Sequence, residues 1–159
     1  MTFTPEDQLH LRAASGYIAL GMNLDANAEL EKIIPEHRHL PQVLVFRLQI
    51  YHALEKWELM QTVAKRLATT EPENPQWWAS WASATRRADS IDAARLILVN
   101  GLERHPASAV ILYNLASYLC QLGNLEESKA KLKLAFELDD SLRLQAMEDE
   151  DLEPVWAAV

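Results

Sequence analysis

Apolar and polar residues along the chain keep helical spacing, and no run of strand-type alternation bounded by turn residues stands out. Trp78 and Trp81, three apart, fall on one helical face, whereas Trp77 lies one step round it. Only four glycines interrupt the chain, which favours helix further. The pattern also recurs: Pro72 and Pro106 lie 34 residues apart, and Asp140 lies another 34 on. Steps of 34 divide the sequence into four gapless windows, 7–40, 41–74, 75–108 and 109–142.

Within these windows certain places keep their character. The eighth residue is small or aliphatic (Ala14, Leu48, Ala82, Ala116), and so is the twentieth except where it is Ser128 (Ala26, Met60, Ala94). Leu122-Gly123-Asn124 reads as a turn between two helices, because glycine can take the left-handed conformation that ends a helix. Asn74-Pro75 and His105-Pro106 read as helix boundaries, since a residue before proline avoids the helical region. Thr4-Pro5-Glu6-Asp7 reads as an N-cap, a proline in the first turn and acids facing the positive end of the helix dipole.

The fourth window, AVILYNLASYLCQLGNLEESKAKLKLAFELDD, resembles the tetratricopeptide repeat, and the other three follow in phase. The resemblance implies an all-α, right-handed solenoid of antiparallel helix–turn–helix units, with small residues at the eighth and twentieth places where the two helices approach closely. Larger residues such as Leu115, Leu132 and Phe136 would surround that contact. It departs most in the second window, where Arg47 replaces an apolar residue, Leu48 and Met60 replace the small pair, and Ala64 is small where a larger residue is expected. These changes together read as a local exchange of volume. In the first window His10 replaces a large aromatic, and Pro35 is expected to end the second helix early.

Beyond residue 142 the end unit needs a cover for its apolar face, and Leu142, Leu144 and Met147 are the expected start of one. This gives one domain over residues 1–148, with residues 149–159 as an acidic tail. Leu152, Val155 and Trp156 in the tail form either a second anchoring turn or a frayed end. By family position Trp78, Trp81 and Trp57 are core residues, while Trp77 either packs on the preceding unit or stays partly exposed.

Charge refines the picture. The net charge is −8; residues 1–136 hold 15 acids and 14 bases, and residues 137–159 hold 8 acids and only Arg143. A nearly neutral body with an acidic end argues against nucleic acid as partner. No apolar stretch approaches the ~20 residues of a membrane span. The N-terminus lacks the pattern of a signal peptide, and the single Cys120 cannot form an internal disulfide; a cytoplasmic address is expected.

Catalytic chemistry finds little support. His37 and His39 form an H-x-H without a third ligand, Cys120 has no adjacent base, and neither a phosphate-cradling glycine loop nor a nucleophile elbow is present. No enzyme activity, metal or cofactor is expected.

Function then falls to the surface. In the family the first helix of each unit lines a concave groove for extended peptides or a partner helix. Transferred residue by residue, six places per unit give 24 lining positions. Prominent among them are Arg12 and Ser15, then Phe46, Gln49 and His52, then Ser83, Arg86 and Arg87, and finally Tyr113, Ser117 and Gln121. The 24 positions contain no Asp or Glu, in a chain with 23 acids among 159 residues. Either partial burial of the inner faces excludes carboxylates, or the groove suits an acidic ligand held by Arg12, Arg86 and Arg87. The lysine–asparagine–arginine clamp by which one subset of the family holds a C-terminal carboxylate is not matched. The expected role is a non-catalytic adaptor for a protein or peptide partner. Its alternatives are a secretion-type chaperone, or self-assembly through end repeats into a weak homo-oligomer. The chain's own segment 148–156 joins carboxylates to apolar anchors, and could fold back into the groove or enter a neighbouring molecule's.

Overall fold

A capping box opens the first helix: the Thr4 hydroxyl accepts from the Asp7 amide, and the Asp7 carboxylate accepts from the Thr4 amide. From there the computed structural model, which describes residues 2–159, runs through four helical hairpins. They are α1 (Pro5–Ala19) with α2 (Asn23–Leu30), α3 (Pro41–Ala53) with α4 (Trp57–Thr70), α5 (Pro75–Ala88) with α6 (Ile91–Arg104), and α7 (Ala109–Gln121) with α8 (Leu125–Leu138). A short α9 (Leu142–Glu148) follows, and two 3₁₀ segments, Pro35–His37 and Glu150–Ala158, complete the element order. Among the described residues there is no strand. Each 34-residue window holds one hairpin, except that α1 begins at Pro5, two residues before the first window, and α2 stops at Leu30, well before Pro35.

The turns inside the hairpins explain the period. The amides of Met22, Lys56 and Asn124 each bond the carbonyl five residues back, on Tyr17, Tyr51 and Leu119, all at 2.8 Å. Those three bonds are in register at 34-residue steps, and each is the longer bond of a Schellman-type helix end. The residue that turns the chain is Gly21, Glu55 or Gly123, with φ of 71°, 54° and 83°. Only Glu55 among these carries a Cβ, at a cost of about 1 kcal/mol for the left-handed backbone. The third unit differs: Asp89 stays at negative φ, and the Ser90 hydroxyl instead caps α6 at the Ala93 amide. Between units, Asn74 caps α5 through the Gln76 amide and Ser108 caps α7 through the Ile111 amide.

Packing among the hairpins is local, as a stacked array requires. Each helix lies on its neighbours in sequence, and first helices also meet across units, α1 with α3 and α5 with α7. All eight residues at the eighth and twentieth places are buried: Ala14, Ala26, Leu48, Met60, Ala82, Ala94, Ala116 and Ser128. Ala64 is buried too, so the large and small exchanges of the second unit lie together in one core cluster. Arg47, the polar intruder there, donates to the Tyr51 hydroxyl at 2.9 Å and to Glu31 at 2.6 Å, which ties α3 to the end of α2.

The tryptophans require a correction. None of Trp57, Trp77, Trp78 and Trp81 is fully buried; the buried stripe of α5 is Ala79, Ala82, Ala84 and Thr85. Alanines bring α5 close to both neighbours, and the indoles fill the seams on either side. Trp77 and Trp81 pack on the cluster of the first two units, while Trp78 packs on the one shared by the third and fourth. Trp78 also rests on Gly101 so closely that a Cβ there would stand 3.1 Å from its own.

The C-terminal cover is also made differently from expectation. On α9 Ala146 is buried and Leu142 packs, partly buried, on the last core cluster as expected, but Leu144 and Met147 are 73% and 60% exposed. The cover comes from the 3₁₀ segment, whose Leu152 and Val155 are 0% and 1% exposed among Leu112, Ala116, Leu132 and Phe136. The Trp156 indole donates to the Ala146 carbonyl at 2.8 Å and ties that segment to α9. Residues 149–159 thus hold the second anchoring turn rather than a frayed end.

A buried pair closes the other end. His37 Nδ1 lies 2.6 Å from Asp7 Oδ2, and the Ile34 amide donates to the other oxygen. Burial pushes the Asp7 carboxyl up, but the bonds from His37, Ile34 and Thr4 outweigh it and hold its pKa down to about 2. A carboxylate can only accept, so His37 carries its proton on Nδ1. This occupies one member of the H-x-H, and no cluster of three or more metal-ligating side chains occurs among the described residues.

Two consequences are measurable. Leu152→Ala should lower stability to chemical denaturation by about 2–5 kcal/mol, and Leu144→Ala should stay within about 0.5 kcal/mol; equal losses would contradict the cover described. A carboxylate with a depressed folded pKa contributes stability that is present above its unfolded value, ordinarily 3.8, and is lost as pH falls through about 2. Stability should therefore rise from pH 2 to pH 4, and Asp7→Asn should flatten that rise in pH-resolved denaturation.

Candidate functional site

Short side chains on the inner face of α5, Ala79, Ser80 and Ser83, leave room between it and its neighbours, because its indoles point into the seams instead. His52, Ser83, Arg86, Arg87, Tyr113 and Ser117 line a cavity of about 440 Å³ there. Arg12, Ser15 and Phe46 line a second one of about 370 Å³ between α1 and α3, with Leu11 and Phe3. One continuous groove was expected, and the expected residues fall into two recesses. Gln49 is exposed and lines neither; Gln121, at the end of α7, reaches the C-terminal segment instead.

That segment reshapes the larger recess. Asp149 and Asp151 stand in its wall beside Arg86 and Tyr113. Arg86 holds Asp151 with both terminal nitrogens, Nη1 at 2.5 Å and Nη2 at 3.2 Å. The Ser117 hydroxyl adds a long bond of 3.4 Å to the same carboxylate, and the Gln121 amide donates to the Asp151 carbonyl at 2.7 Å. The Tyr113 hydroxyl donates to Asp149 at 2.9 Å, and the Asp149 side chain caps the 3₁₀ segment at the Asp151 amide. Four of the eleven expected groove residues are thereby engaged within the chain. Asp149 and Asp151 lay outside the repeat positions counted for the lining, and only the acidic and apolar mixture of residues 148–156 pointed to them.

Electrostatics follow this geometry. The bond to Arg86 holds the Asp151 carboxyl below the usual carboxylate range, and reciprocally raises the guanidinium. Burial and then Asp149 push the Tyr113 phenol upward. Burial lifts Tyr118 to about 12 even though Arg86, whose guanidinium lies 5.3 Å from its ring centroid, works against it. Burial likewise raises the Cys120 thiol, which keeps it protonated and a poor nucleophile. Arg87 is exposed, and its guanidinium stacks on the Trp57 ring at 5.3 Å while His52 meets the same ring edge-on at 5.7 Å. Trp57, expected as core, is thus a half-buried platform that aims Arg87 along the rim of the recess. Arg12 is exposed beside Phe46 in the smaller recess. Among the described residues, no helix is long and apolar enough to cross a membrane.

No protein-family model matches the sequence, and no curated protein matches it. Solved structures do resemble it. MamA from MSR-1 superposes with a TM-score of 0.70 at 21% identity, over 85% of this chain and 78% of that one. YrrB, described as a TPR protein with an unusual peptide-binding site, gives 0.67 at 12% identity over 93% and 75%. TTC0263, a thermophilic TPR protein of Thermus thermophilus, gives 0.66 at 18% identity over 96% and 97%. Together with the in-register turns and the buried eighth and twentieth residues, these likenesses establish that the chain has the tetratricopeptide-repeat fold, an all-α solenoid of helical hairpins.

Proposed function

We propose that this chain is a non-catalytic adaptor that holds an extended segment of a protein partner along the inner faces of α1, α3 and α5, with preference for acidic segments. The observation that carries this reading is the occupancy of the groove's far end by the chain's own acidic segment, held by Arg86 through both terminal nitrogens. The same surface offers two further exposed arginines, Arg12 and Arg87, each beside aromatic or aliphatic side chains. Exposed charge pairs contribute only about 0.2–1 kcal/mol each. Affinity therefore has to come from apolar contact with Phe3, Leu11 and Phe46, while the arginines supply orientation and sensitivity to salt. The peptide-binding site named for YrrB, on the same fold, is consistent with this use of the surface. A secretion-type chaperone would use the groove in the same way and differ only in its partner. The covered face of the fourth unit favours an adaptor over self-assembly through that end.

Selection from a displayed peptide library tests the reading. Recovered peptides should combine Asp or Glu with an aromatic or aliphatic residue, weaken as salt rises, and lose most of their affinity to Arg12→Glu/Arg87→Glu. Failure to recover binders, or binders indifferent to both salt and the two substitutions, would overturn it.

A further inference from the structure

Arg86 and Arg87 are adjacent in sequence and belong to the same recess, yet their situations are opposite. Arg87 is exposed and stacks on the Trp57 ring; it attracts Asp151 through space but makes no hydrogen bond to it. Arg86 is committed to Asp151, 65 residues away, through two charge-assisted bonds. Asp151 is further held by Ser117 and by its own backbone bond to Gln121. The next residue, Leu152, is fully buried in the last core cluster, so the backbone that carries Asp151 is fixed. Its carboxylate is about one-third exposed, however, and can leave Arg86 by side-chain rotation without disturbing Leu152.

We infer that Asp151 is a resident competitor for Arg86. It leaves the groove open where a partner meets Arg12 and Arg87, and gates it at Arg86, which sits beside Arg87 on the third unit but is closed off by the C-terminal segment. A partner's carboxylate enters the gated stretch only by replacing the Asp151 side chain while the 3₁₀ segment stays docked. The inference rests on the peptide-binding reading and deepens it by assigning unequal roles to two neighbouring arginines. For a partner that exploits only the open stretch, Arg87 carries the electrostatic contribution and Arg86 is silent. Removal of the competing charge makes Arg86 available and adds a second strong point of contact. Asp151→Asn preserves the size of the side chain and an oxygen that can accept from Arg86, so the segment keeps a bond to a neutral acceptor in place of the ion pair.

The experiment titrates the acetylated tetrapeptide Glu-Asp-Glu-Asp, the chain's own acidic run, onto the full chain, followed by amide chemical shifts over residues 83–87. Asp151→Asn should bind it roughly tenfold more tightly than the unaltered chain, and Asp151→Asn/Arg86→Gln should lose that gain. In the unaltered chain Arg87→Gln should weaken binding. Leu152 remains in every variant, and an unchanged helical spectrum confirms that each is folded. An Asp151→Asn chain with the affinity of the unaltered one, whether measurable or absent, would overturn the competitor. So would a gain that survives in Asp151→Asn/Arg86→Gln. By contrast, a gain from Asp151→Asn accompanied by a peptide library without binders would retire the adaptor reading and leave the competition for Arg86 standing. Should Asp151→Asn prove unfolded, Asp151→Ser takes its place in the same comparison.

Discussion

Everything in this molecule depends on how closely two antiparallel helices can approach within a unit. In three units one small side chain from each helix permits that approach, Ala14 with Ala26, Ala82 with Ala94, and Ala116 with Ser128, all buried. Ser128 shows how near the backbones come: its hydroxyl donates to the Ala116 carbonyl across the hairpin at 2.7 Å. A hydroxyl at that depth is tolerated because the carbonyl satisfies it. The second unit reaches a similar hairpin with Leu48 and Met60 at the contact and Ala64 nearby, which shows that total volume is conserved where individual volumes are not. Close approach in turn fixes the tight turns, and the turns fix the 34-residue period.

A stacked array leaves two ends with nothing beyond them, and the chain solves each end locally. At the start, Asp7 gathers Thr4, Ile34 and His37 around one carboxylate and fastens α1 to the connection that leads into the second unit. At the finish, Leu152 and Val155 cover α7 and α8 where a fifth unit would otherwise stack. The second solution has a functional consequence that the first lacks. The inner face of α7 is continuous with the groove, so a cover laid against it brings its polar side chains into the groove as well.

The sequence made the repeats, their boundaries and the small-residue contacts legible, because each is a local pattern replicated four times. It was less informative where contacts are made once. Trp78 and Trp81 share a helical face, and that face was expected to be core; in fact alanines occupy the buried stripe, and the indoles lie in the seams between units. Periodicity identifies a face but not which neighbour it meets. Leu144 and Met147 have helical spacing suited to a cover, but α9 turns both outward, and Leu152 and Val155 cover the end instead. The bonds from His37 to Asp7 and from Arg47 to Glu31 and Tyr51 satisfy polar groups that the pattern of apolar residues could only flag as exceptions.

The same distinction governs the electrostatics of the groove. Counted over repeat positions alone, its lining holds arginines and no acid, a strongly one-signed surface. The folded chain returns two of its C-terminal acids to that surface, so one end is neutralised and the other is not. Net charge cannot express this, because the acids that make the chain −8 are concentrated beyond residue 136, and their effect depends on where the last turn docks. Leu152 sets that position. Apolar burial of one side chain therefore decides which arginine of an adjacent pair remains available, and the field a partner meets is governed as much by the core of the fourth unit as by the residues of the groove itself.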